Sequence, residues 1–200
     1  MLAVGFRPHT YWTAAVALAG PPTSPFVTAR ARIDFAAGDE RNVYHRVAEM
    51  DAAAAETWVT RVRAGVLDKA SRGIERFVTG LGGPDAVVAA VVPSGRGNAP
   101  TRIADIVKSH TMMHAAEGEF YRQVVADACA PLGVAVRRIV ERDLAAETAR
   151  RLGIDEAALE ARLKEMGRAL GPPWSEDQKL ATLAAWVGLM DEPTSPKPRR

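Results

Sequence analysis

"DAVVAAVVP", residues 85 to 93, decides how the chain is read. From Ala86 to Pro93 no side chain is polar, so neither the two-residue alternation of a half-buried strand nor the polar face of a surface helix is present. The run is far shorter than the ~20 residues of a membrane span. Bounded by Asp85 and Pro93, it reads as a strand buried on both faces, which belongs inside a sheet covered by helices.

Upstream, three more strands are expected. "LAVGFR" (2–7) leads into Pro8-His9-Thr10, "YWTAAVALA" (11–19) follows, and the turn formers "GPPTSP" separate it from the alternating "FVTARARIDF" (26–35). An antiparallel meander is their natural product. After a polar link containing "AAGDERN", Asp51 is placed to cap a long helix. Its stripe is Trp58, Val59, Val62, Val66, Ile74, Phe77, Val78 and Leu81, and Gly82-Gly83-Pro84 ends it. Downstream, "SGRGNAP" opens a second long helix from about Thr101 to Ala130. "VAVRRIV" (134–140) is a strand parallel to the buried one, because a helical crossover separates them. Asp143 and Asp155 are expected to cap two short helices, and Ser175 with Gln178 makes a capping-box pattern on the last. The order gives an α/β fold: one mixed sheet, a three-stranded meander plus two parallel strands, with helices on its faces. One domain over 1–190 and a disordered, proline-rich tail over 191–200 are expected.

With 48% hydrophobic residues in 200, the chain can bury a sizeable core. Its net charge of +2, from 26 basic and 24 acidic side chains, shows no basic arm. Binding nucleic acid would therefore need a local patch of Arg and Lys on the folded surface. A single cysteine, Cys129, excludes an internal disulfide framework, a zinc ribbon and a CxxC redox pair, and fits a reducing, cytoplasmic setting. The segment ending Ala17-Leu18-Ala19 imitates a signal peptide, but its removal would leave the third strand unpaired, so we expect Met1 to be retained. No membrane association is expected.

The chemistry concentrates in "SHTMMHAAEGEFYR", residues 109–122. His110, His114 and Glu117 share a helical face with Ile103, Ile106, Val107, Tyr121, Val124, Val125 and Ala128. Polar groups on a packing face need partners or a cavity. Two histidines a turn apart can share a divalent metal, with the carboxylate as third ligand or base. The same trio could equally be a hydrogen-bonded structural cluster. Gly118 is either an unremarked exposed position or a place of close approach. Arg96 between the glycines of "SGRGN" could hold a phosphate, though the Walker spacing and lysine are absent. Nucleophile-elbow and dinucleotide motifs are absent as well.

The order of elements resembles the RNase H-like superfamily and, within it, the RuvC-type Holliday-junction resolvases. "AVGFRPHT" is similar to that family's first strand and turn, and "DAVVAAVVP" to its fourth strand. "AEGEFYRQVVADACAPLGVAV" resembles the helix and strand that follow, and "WSEDQKLATLAAW" the last helix. The resemblance spans roughly residues 2 to 189. It implies DNA cleavage by two magnesium ions on four carboxylates, but of these acids only one, Asp177, carries over. The first falls at Arg7, the fourth-strand acid near Val92 and Pro93, and the paired acids of the last helix at Asp177 and about Leu180.

Three readings follow. The leading one is a diverged, nuclease-inactive protein binding structured DNA or RNA, or a protein partner, with Arg7 and Arg96 on phosphates. A second is a metal-dependent phosphodiester hydrolase rebuilt on His110, His114, Glu117 and Asp177, and a third is a structural scaffold. Whether the chain is an enzyme and whether it forms a homodimer are left open.

Overall fold

The computed structural model describes residues 2–95, 97 and 99–191. It begins with the expected meander of β1 (Leu2–Pro8), β2 (Trp12–Ala19) and β3 (Phe26–Asp34). The antiparallel registers run from Leu2↔Ala19 to Pro8↔Thr13 and from Trp12↔Asp34 to Ala19↔Phe26. The polar link that follows contains a 3-10 turn at Gly38–Arg41 and a short helix, α1 (Val43–Val47). Helix α2 (Ala52–Gly80) starts where Asp51 accepts the Ala54 N–H at 2.9 Å.

The buried run becomes β4 (Val87–Ser94), lying between β1 and β5 (Val136–Val140) and parallel to both. Sheet order is β3-β2-β1-β4-β5. Pro93 is the next-to-last residue of β4, at a height beyond the β1 ladder, where its missing N–H removes no bond to that neighbour. Between β4 and β5 the expected single helix is two: α3 (Ile103–Ile106) and α4 (His110–Cys129). The break has a local cause. The Ser109 hydroxyl accepts the Met112 N–H at 3.2 Å and caps a new helix, so His110 opens α4 instead of sitting inside a longer one.

After β5 come α5 (Leu144–Leu152), α6 (Glu156–Leu170) and α7 (Glu176–Met190). Asp155 caps α6 through the Ala158 N–H, and Ser175 with Gln178 forms the capping box of α7. Asp143 precedes α5 without a side-chain cap bond and pairs instead with Arg142.

Alternation along the strands divides the interior in two. Val4, Phe6, Ala15, Ala17, Ala90 and Val92 face α1, α2 and α4, while Ala14, Val16, Leu18 and Val91 face α5, α6 and α7. A strand buried on both sides therefore has to be apolar throughout, as residues 86–93 are. The closest approach is at Gly5, where an added Cβ would stand 1.9 Å from the Ala181 carbonyl oxygen and 2.4 Å from the Ala185 nitrogen. That glycine lets α7 lie directly on β1, and it fixes where Asp177 emerges. No helix among the described residues is long and apolar enough to cross a membrane.

Candidate functional site

Helix α4 presents chemistry in two directions. On the side facing α1, Glu117 is buried, at 1% exposure, and its Oε1 accepts the Tyr44 and His45 backbone N–H groups at 3.0 and 3.4 Å. His45 Nδ1 stands 2.9 Å from the same oxygen. Facing a carboxylate oxygen that already accepts from two amides, this nitrogen is the donor. Its Nε2 then carries the free lone pair whenever the ring is neutral. Oε2 is enclosed with no hydrogen-bond partner among the described residues, 3.7 Å from His114 Nδ1. Burial and the Glu117 charge together push the Tyr44 phenol up from its ordinary value.

His110 and His114, one turn apart at the start of α4, converge on His45. Ring centroids are 4.3 Å apart for His110–His114, 4.8 Å for His45–His110 and 4.9 Å for His45–His114. The expected inward orientation of the whole trio is corrected here. Glu117 is inside, but His114 is 58% exposed and His110 is also at the surface. Starting the helix at His110 places the two rings within its first two turns, beyond the end of the packed stripe.

The other side of α4 lies toward the carboxyl ends of the parallel strands, where the gap left once β1 and β4 stop pairing is here called the crevice. The β1–β4 ladder runs only from Leu2↔Val87 to Gly5↔Val91, so the last residues of both strands are unpaired with each other. Such a point, where strand order reverses outside the carboxyl ends, is where open α/β sheets place ligands. Arg7 lies here. Its Nη2 donates to Glu141 Oε1 at 3.1 Å, and its Nε is 3.1 Å from Oε2 but off the line of a hydrogen bond. Arg7 Nε is also 4.0 Å from Asp177 Oδ1, and His9 Nε2 stands 2.6 Å from that oxygen. Arg138 donates to Glu119 at 2.8 Å.

Arg122 completes the group. It is half-buried and has no ion pair to a described residue, and burial holds its guanidinium below the ordinary value against the pull of Glu141 and Glu119. Its Nη1 would stand 3.2 Å from a Cβ on Gly95 and 2.9 Å from one on Gly118. Gly118 is therefore a place of close approach: its bare backbone leaves room for the guanidinium.

Asp177 belongs to the crevice and not to the histidines. It sits on α7, across the sheet from the face that α4 covers, and pairs with Arg7 and His9. Arg96 lies outside the described residues. Sequence reasoning missed His9, His45, Arg122, Arg138 and Glu141. One available signal was scarcity: the chain has four histidines, and all four fall in these two places.

No protein-family model matches the chain, and no curated protein matches it in sequence. Solved structures do. RuvC of T. thermophilus in complex with a Holliday junction substrate superposes with a TM-score of 0.53 at 12% identity, covering 94% of this chain and 91% of that one. A second Thermus thermophilus RuvC structure gives 0.51 at 13% identity, covering 94% and 92%. The fold is RNase H-like. At such identity the likeness is one of fold, and the site must speak for itself.

Magnesium held by a carboxylate cluster, which the RuvC resemblance implies, does not fit these residues. Hard cations need several oxygen ligands free to coordinate. In the crevice Glu141 is occupied by Arg7 and Asp177 by His9, with the Arg7 guanidinium beside both acids. A divalent ion would have to displace these cations or sit against them.

Proposed function

We propose that this RNase H-like protein is nuclease-inactive and binds structured nucleic acid at the crevice where β1, β4 and β5 end. The single observation that carries the reading is Arg7, a cation at the carboxyl end of the first strand, held against Glu141 and 4.0 Å from Asp177. It neutralises acids that would otherwise collect metal. Arg122, with no ion pair to a described residue, adds positive charge beside it, and an arginine fork suits a phosphate oxygen pair. The near-neutral total charge is compatible with this, because a local patch suffices. The RuvC structure solved with a Holliday junction makes a branched duplex the natural first ligand to test.

The experiment is fluorescence anisotropy of a labelled four-way DNA junction, titrated at several salt concentrations with and without magnesium. Binding that weakens with salt, needs no magnesium and yields no cut strands supports the proposal. Magnesium-dependent cleavage lost on Asp177→Ala would overturn the inactive reading. Absence of binding to junction, duplex and single strands at low salt would shift the crevice to a protein partner.

A further inference from the structure

The geometry points to a second site, independent of the crevice: His45, His110 and His114 form a divalent transition-metal site of the zinc class, with Glu117 behind the rings as their orienting carboxylate. The three side chains come from two elements, α1 and the first two turns of α4, and each offers a ring nitrogen such that all lie within 4.8 Å of one another. Three imidazoles around one point match zinc, copper or nickel and not magnesium or calcium, which take oxygen ligands.

Glu117 is the second, independent observation. A buried carboxylate bound to a histidine Nδ1–H sets that ring's tautomer, turns Nε2 outward as a ligand and raises its basicity. His45 has this arrangement, with Nδ1 at 2.9 Å from Oε1. The enclosed Oε2, lacking a hydrogen-bond partner among the described residues, lies 3.7 Å from His114 Nδ1. A shift of under an ångström would give His114 the same support and satisfy the orphaned oxygen. Both rings would then present Nε2 to one metal, with His110 as third ligand.

The charge argument agrees. The first turn of α4 opposes a cation through its helix dipole, so a neutral histidine cluster there would be a poor cation site by itself. The Glu117 carboxylate offsets this, and its ion-pair partners among the described residues are histidines, with no lysine or arginine holding it. His114 and His110 are exposed, which leaves the outer coordination position open to water or a small anion. A bound ion would also fasten α1, only five residues long, to α4.

The test uses the full chain without a polyhistidine tag, stripped with chelator and titrated with zinc by calorimetry, with thermal melting in parallel. One zinc ion per chain and a rise in Tm are expected. His110→Ala and His114→Ala, both at exposed positions that should leave the fold intact, should each abolish binding. Glu117→Gln should weaken it by about 10- to 100-fold, the usual effect of losing an orienting partner. No zinc binding by the stripped chain, or binding unchanged in both His110→Ala and His114→Ala, would overturn the site. Neither result bears on nucleic acid binding at the crevice, which these variants do not touch.

Discussion

The crevice and the histidine cluster are built from similar parts and reach opposite electrostatic ends. Each has an acid against a histidine: Asp177 with His9 at 2.6 Å, Glu117 with His45 at 2.9 Å. In the crevice, arginines from β1, α4 and β5 stand against as many acids, and Arg122, with no ion pair to a described residue, is the cation left to meet an anion. Around Glu117 the partners are two backbone amides and two histidines, with no lysine or arginine among the described residues paired to it. The sign of the neighbours, more than the identity of the acid, decides what each place can bind.

The largest expected effect breaks the two regions apart. Gly5→Ala drives a Cβ into the backbone of α7, which carries Asp177, and should cost about 3 kcal/mol or more in chemical denaturation. Because Gly5 faces away from α1 and α4, the folded variant should bind zinc normally while losing affinity for nucleic acid. Loss of both together would mean that the regions are not independent.

Glu117→Gln comes next. Its buried carboxylate serves three donors, so the change should destabilise by roughly 1–3 kcal/mol, whereas Glu119→Gln, at a half-exposed pair with Arg138, should cost under ~1 kcal/mol. Equal costs in urea melts would contradict the inward position of Glu117. His114→Ala, at a 58% exposed side chain, should be close to neutral for stability and reveal itself only through metal.

Arg122→Ala should weaken junction binding by about tenfold and lower the salt slope by about one, the signature of a lost phosphate contact. An unchanged slope would remove Arg122 from the interface. The effect of Asp177→Ala should be small as well. With 26% of its side chain exposed and a partner at the surface, its removal should shift stability by less than ~1 kcal/mol.

The sheet was legible because its signals are local: turn residues at 20–25, alternation over 26–35 and the uninterrupted apolar run at 86–93. The face of α4 that carries Glu117 was legible for the same reason, since a charge on an apolar stripe stands out. His45 was not, because it lies in a polar link with no periodicity and reaches Glu117 only through tertiary packing. The helix break at Ser109 was hidden too. A serine inside a continuous pattern reads as neutral until its hydroxyl is seen to cap. The departure at Arg7 was visible from the RuvC resemblance, but its pairing with Glu141 depends on β5 lying next to β4, which spacing alone does not fix.

The central claim is that the crevice repels divalent cations while the histidine cluster collects them, and backbone amide spectra of the labelled protein test it directly. Magnesium added to millimolar levels should leave the amides of Arg7, His9, Glu141 and Asp177 unmoved, and zinc added afterwards should shift those around His45, His110 and His114. Saturable magnesium shifts at Arg7 and Asp177 would contradict the account, because they would show carboxylates open to the ion that Arg7 is held to exclude.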